Sequence, residues 1–223
     1  LAGELHVFSR FQETRVIADI VDREQLGGDG LLISTHGLSR PHTRVAFAMS
    51  QFRLNIISGK VNRVELGENE HGYCYFFQIS PPESGVAPSP RELERIIENQ
   101  TPPELPRTHL SRPTTSRGVR VEFSGNDNKG YRILKTRNIF ERQSASLPHI
   151  RVILRDEPFL FFKVSRVFDL FGVEIQQSLI TTTGNQVVDY FYLLPEDYER
   201  LRGSDFEESF LRLVNTPLQT AGD

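Results

Sequence analysis

The sequence predicts an α+β fold built twice: two antiparallel four-stranded sheets in tandem, each with two helices on one face. Three observations predict it. A hydrophobic pattern recurs at an offset of 119 residues, each copy alternates helical and strand periodicity in the same order, and a proline-rich stretch without period separates the copies.

The repeat is clearest in the first helix of each copy. Val45, Ala48, Met49 and Phe52 are spaced as one helix face, and Val164, Val167, Phe168 and Phe171 repeat that face 119 residues later. Leu54-Asn55-Ile56 then overlays Val173-Glu174-Ile175. An alternating strand follows in each copy, Ile57–Val61 and Gln176–Ile180, then a turn at 68–72 or 183–185, then an aromatic strand at Tyr73–Ile79 or Val187–Leu194. The first hairpin is five residues longer, an insertion that a hairpin tip tolerates. A short apolar strand precedes each helix, Leu31–Ile33 and Ile150–Leu154, and a strand-like lead-in stands before each unit near Arg15–Val21 and Val119–Phe123. Ser89-Pro90-Arg91-Glu92 is a capping box with proline at the first helical position, and it starts a second helix whose apolar face is Leu93, Ile96 and Ile97. The second copy offers Pro195–Leu201 and Phe206–Val214 for the same role. Strand–helix–strand–strand–helix with a lead-in strand is the order of a ferredoxin-like sandwich. The units are expected at residues 1–100 and 119–223, with residues 101–118 as an extended linker holding Pro102, Pro103, Pro106 and Pro113.

Composition bounds the function. With 38% hydrophobic residues, the 223-residue chain can build two small cores. The net charge of −3 points to no generic polyanion binder. The single cysteine, Cys74, rules out an internal disulfide framework and a thiolate metal cluster and suits a reducing, cytoplasmic compartment. No apolar run approaches the roughly 20 residues a bilayer requires. Because the chain begins at Leu1 rather than Met, it is read as part of a longer protein or a processed form. The one basic stretch, Arg112–Arg142, has eight Lys/Arg against three acidic residues; it reads as a solvated loop and hairpin or as a docking surface for an acidic partner.

The second copy carries recognisable motifs: Arg155-Asp156-Glu157-Pro158 at the start of the helix, Phe171-Gly172-Val173-Glu174-Ile175 into the next strand, Thr181-Thr182-Thr183-Gly184, and Val187-Val188-Asp189-Tyr190-Phe191-Tyr192. These resemble the ACT domain, and in particular the C-terminal ACT pair of the bifunctional uridylyltransferase/uridylyl-removing enzymes of bacterial nitrogen control. The lead-in strand at Val119–Phe123 resembles the permuted arrangement of that group. The first copy matches through Phe52-Arg53-Leu54-Asn55-Ile56 and little else.

The resemblance implies a regulatory module that senses a small amino acid, glutamine in that enzyme, and signals to a catalytic domain of the same protein or a PII-type partner. A homodimer through exposed sheet edges is a further expected partner state. The implied ligand residues lie at the two strand–helix turns, Ser39, Arg40, Asp156, Glu157 and Phe159, with Asn55 and Glu174 opposite them. A carboxylate there can hold an ammonium, and the exposed N–H groups of the helix start can take a carboxylate. Two departures stand out. Where the family carries glycine, this chain has Phe159 and, in the repeat register, Arg40; where it carries aspartate, the first copy has Gly37.

A ligand-free interaction or dimerisation module is therefore the alternative. An RNA-binding module shares the element order, and His71–Gln78 loosely matches its aromatic third strand. The 1–111 half, however, has 11 basic against 14 acidic residues, and Tyr73, Tyr75 and Phe77 are read as sheet-packing rings. His36 and His42, six apart, are read as a solvated pair rather than metal ligands. Gly27-Gly28-Asp29-Gly30 lacks the Lys and Ser/Thr of a phosphate loop. There is no adjacent His-Asp pair, nucleophile elbow or Cys–His pair. No catalytic residue, metal site or cofactor is expected in this chain, although it could be the regulatory part of a nucleotidyltransferase.

Overall fold

The computed structural model describes residues 14–21, 29–68, 70–80, 88–103, 119–125, 147–157 and 159–215. Residues 104–118 of the expected linker and 126–142 of the basic stretch lie outside that set. The strands are β1 (Val16–Val21), β2 (Asp29–His36), β3 (Asn55–Gly67), β4 (Glu70–Ser80), β5 (Arg120–Ser124), β6 (His149–Arg155), β7 (Ile175–Thr183) and β8 (Gln186–Leu193). The helices are α1 (Pro41–Gln51), α2 (Pro90–Asn99), α3 (Leu160–Leu170), α4 (Pro195–Arg202) and α5 (Phe206–Asn215). The second copy thus has two helices where the first has one, separated by Gly203-Ser204-Asp205. Ser204 closes α4 by donating to the Leu201 carbonyl (2.8 Å) and accepts from the Phe206 N–H (3.1 Å) to open α5.

All eight strands form one antiparallel sheet in the order β1-β2-β4-β3-β7-β8-β6-β5. The sequence suggests two separate sheets; the structure joins them edge to edge through β3 and β7. Each half keeps the ferredoxin-like order for its own four strands. The join removes two exposed edges, each of which would present unpaired N–H and C=O groups.

The register of the join shows its symmetry. Ser58 faces Thr181, Val61 faces Ser178, and Lys60 faces Leu179. Lys60 and Leu179 are themselves 119 residues apart, so a local two-fold axis passes through that pair and relates the two units. The halves agree in detail around it. A register shift sits between Ile56 and Ser58 in β3 and at the equivalent Ile175–Gln177 in β7. Arg53 and Gly172, again 119 apart, both have left-handed backbone, with φ of 51° and 60°. Arg44 of α1 donates to the carbonyls of Ile97 and Gln100 (both 3.0 Å), and its equivalent Lys163 of α3 donates to that of Val214 (2.9 Å). Each cation thereby caps the orphan carbonyls at the end of its unit's last helix.

The capping box of α2 forms as the sequence predicts: the Ser89 side chain accepts from the Glu92 N–H and the Glu92 carboxylate accepts from the Ser89 N–H (3.0 Å). Two apolar cores follow the unit boundary, one around Leu31, Ile33, Val45, Phe77 and Leu93, the other around Ile150, Val164, Phe168, Phe191 and Phe206. Ile180 of β7 belongs to the first, so the cores meet at the seam. The helices α1 and α3 cross over the same seam. Thr43 donates to Asp169, Phe47 packs on Phe162 with ring centroids 5.7 Å apart, and Thr182 donates to the Ile56 carbonyl (2.7 Å). Among the described residues, no helix is long and apolar enough to cross a membrane.

Candidate ligand site at the seam

The two-fold axis generates two equivalent positions at the seam, each between the start of the middle strand pair in one unit and the strand–helix turn of the other. They differ sharply. One is a cavity of about 590 Å³, lined by Met49, Ser50, Arg53, Leu54, Asn55 and Ile56 of the first unit and by Asp156, Glu157, Phe159, Phe161, Thr182 and Asp189, among others, of the second. That volume falls in the usual range for small-molecule pockets, roughly 300–1,000 Å³.

The other position is filled by the chain's own side chains. Thr182, Val187 and Asp189 of the open site become Arg63, Tyr73 and Tyr75, Phe161 becomes His42, and Asn55 becomes Glu174. Tyr73 donates to Glu174 Oε1 (2.6 Å), His71 Nε2 stands 2.8 Å from the same oxygen, and Arg63 Nε 3.3 Å from it. Tyr75 Oη pairs with His42 Nδ1 (3.1 Å), and the His42 ring meets Tyr73 edge-on at 4.5 Å. Burial holds the His42 pKa down to about 3, so the ring is neutral, and burial with the Glu174 contact pushes Tyr73 up. The sequence reading of His42 as a solvated residue is overturned. His42 is 7% exposed because the first turn of α1 packs it against Tyr73 and Tyr75 of β4. Tyr73, Tyr75 and Phe77 themselves are 4%, 0% and 0% exposed, turned into the core.

The expected ligand residues therefore divide between the two positions. Asn55, Asp156, Glu157 and Phe159 line the open cavity. Glu174 lies in the filled one, as a tie between the units. Arg40 is the backbone N-cap of α1 and Ser39 accepts from Arg44 Nε (3.1 Å) through its carbonyl. The missing glycines have a structural answer. Arg40 and Phe159 both hold the left-handed conformation that glycine would favour, with φ of 53° and 65°. Each costs about 1–2 kcal/mol in backbone strain that the surrounding turn sustains. The turn geometry is kept without the glycine.

The chemistry of the open cavity is acidic at the second unit's side. Glu157 is neutralised by Lys163 Nζ at 2.6 Å, a cation buried to 6% exposure. Among the described residues, no cation is paired in this way with Asp156 or Asp189. Asp189 projects from β8 between Val187 and Phe191, is 2% exposed, and its Oδ1 has no hydrogen-bond partner among the described residues. Burial pushes its pKa up to about 8, against a backbone hydrogen bond from Thr181 that lowers it, and the nearby Asp156 charge adds to the rise. Asp156 is raised too, first by burial. In the sequence Asp189 stands in the Val187–Tyr192 motif and outside the expected ligand residues. The signal was an aspartate at inward parity in an otherwise apolar and aromatic strand. At the first unit's side the exposed Arg53 supplies a positive charge, and the first N–H groups of α3 border the same space. The cavity can thus receive a cationic group beside the two aspartates and an anionic group beside Arg53. Among the described residues, no group of three or more His, Cys, Asp or Glu is placed to hold a metal ion.

No protein-family model matches the chain, and no curated protein matches it. Among solved structures, the chain is similar to aspartate kinase from Synechocystis at 9% identity and a TM-score of 0.25, over all of this chain and 53% of that one. This chain thus corresponds to about half the length of that kinase, and a likeness at this level bears on neither fold nor function.

Proposed function

We propose that the chain is a regulatory module of two ACT-type units that binds one small amino acid, glutamine in kind, in the open cavity at the seam. The observation that carries this reading is the cavity's polarity. Asp189, whose Oδ1 has no hydrogen-bond partner among the described residues, and Asp156 stand on the second unit's side, and the guanidinium of Arg53 stands on the first unit's side, which suits a zwitterion. The resemblance of Thr181–Gly184 and Val187–Tyr192 to the ACT pair of uridylyltransferase/uridylyl-removing enzymes supports the same reading. The ligand contacts both units and so biases their packing, and that bias is what a catalytic domain of the same protein or a PII-type partner would read.

A second reading, a ligand-free interaction or dimerisation module, is favoured by the filled position. There Tyr73, His71 and Arg63 of the first unit already hold Glu174 of the second without any ligand. Thermal denaturation with a panel of amino acids separates the two. At a hundred times its dissociation constant, a ligand of the folded state adds about 2.7 kcal/mol. Glutamine or a near relative should raise the midpoint; an unchanged midpoint with every amino acid leaves the interaction module.

A further inference from the structure

The open cavity is lined by a carboxyl group, that of Asp189, which takes a backbone hydrogen bond from Thr181 but whose Oδ1 has no partner among the described residues. Asp189 is on β8, opposite Val152 of β6 and Ile180 of β7, which offer it no cation and no side-chain donor. The charged groups that face its cavity are Asp156 and Glu157 from the β6–α3 turn and Arg53 from the α1–β3 junction; Lys163 of α3 is engaged by Glu157 and the Val214 carbonyl. A buried aspartic acid with an orphaned oxygen is costly, and replacing it by an apolar residue would relieve the cost. Asp189 lines the wall of a cavity of about 590 Å³, while Oδ1 itself is covered in the empty protein.

We propose that Asp189, together with Asp156, receives the ammonium group of the bound amino acid, and that Asp189 releases its proton to solvent as the ligand enters. The step balances in charge and atoms: a neutral carboxylic acid and an ammonium become a carboxylate–ammonium pair, and one proton passes to the buffer. It rests on the reading that the cavity holds an amino acid. In the empty protein burial keeps Asp189 mostly protonated at neutral pH, and a cation at hydrogen-bond distance reverses that preference. Binding is therefore linked to pH: apparent affinity climbs with pH toward about 8 and levels off once Asp189 is already ionised.

The test is titration calorimetry at pH 7 in two buffers of different ionisation enthalpy. L-glutamine, L-leucine and L-lysine are each measured beside the α-hydroxy acid of the same skeleton. The wild-type chain should release close to one proton per amino acid bound. Asp189→Asn keeps the shape of the side chain and should bind the amino acid at least about tenfold more weakly with almost no proton release. The α-hydroxy acids should release none. Circular dichroism of the variant confirms that it folds. Amino-acid binding that is equally tight in Asp189→Asn, or that releases no proton in the wild type, overturns the role of Asp189 while leaving the cavity as a ligand site. Absence of heat with all three amino acids in the wild type overturns both.

Discussion

The two seam positions share a backbone and differ in what their side chains do. Around the axis the turns, the left-handed residues, the β3 and β7 register shifts and the helix-end cations all correspond. At four equivalent places the first copy supplies large groups to the filled position, His42, Arg63, Tyr73 and Tyr75. The second copy supplies Phe161, Thr182, Val187 and Asp189 to the open one. The difference teaches how a duplicated site divides its labour. The filled position is a fixed tie, with Glu174 held by three groups of the other unit. The open one keeps space and a buried carboxyl whose Oδ1 has no partner among the described residues.

The largest effect expected from breaking this contrast is at Tyr75, which is fully buried and holds His42. Tyr75→Ala hollows out the filled position and should cost about 3–5 kcal/mol, as deletions of buried aromatics do. Chemical denaturation measures it. A loss below about 1 kcal/mol would mean that the filled position is not closely packed.

The next effect is in pH. The folded pKa of Asp189 lies near 8, above its unfolded value near 3.8, so the folded chain holds the extra proton and stability falls as pH rises between those values. His42 acts in the opposite direction. Its folded pKa near 3 lies below its unfolded value near 6.5, so stability rises with pH across that window and is constant above it. From pH 6.5 to 8 only the Asp189 slope of this pair remains, worth about 2 kcal/mol over the interval. Asp189→Asn should remove that fall, gaining most over wild type at pH 8 and least at pH 4. An equal gain at both values would place Asp189 in a solvated setting.

The smallest effect is at the turns. Arg40→Gly relieves a left-handed backbone on an exposed residue and should stabilise by about 1 kcal/mol, net of the entropy glycine loses on folding. Thermal denaturation would show a small rise in midpoint; a fall would mean that the Arg40 side chain contributes more than its backbone costs.

Much of the fold was legible in the sequence because a repeat states its periodicity twice. The helix faces at Val45–Phe52 and Val164–Phe171, the hairpins and the Ser89 capping box all depend on local spacing. The union of the two sheets was not legible. The pairing of β3 with β7 is a backbone event between residues such as Lys60 and Leu179, and no side-chain pattern distinguishes a paired edge from an exposed one. The site was half legible. The turn residues Asp156, Glu157 and Phe159 and the opposing Asn55 could be placed by resemblance. Asp189, however, becomes a candidate only when burial, cavity and an oxygen without a partner among the described residues coincide, and His42 becomes a core residue only when β4 folds over it. Glu174 shows the limit of reading by equivalence: the same backbone position that borders a cavity in one copy is a tie in the other.

The central claim is that duplication leaves one ligand site per chain, the second position being occupied by the chain itself. Equilibrium dialysis with radiolabelled L-glutamine at saturating concentration tests it directly. The account predicts one glutamine bound per chain, with Asp189→Asn binding more weakly and Glu174→Gln retaining the site. Two per chain, or none at any concentration, would contradict it.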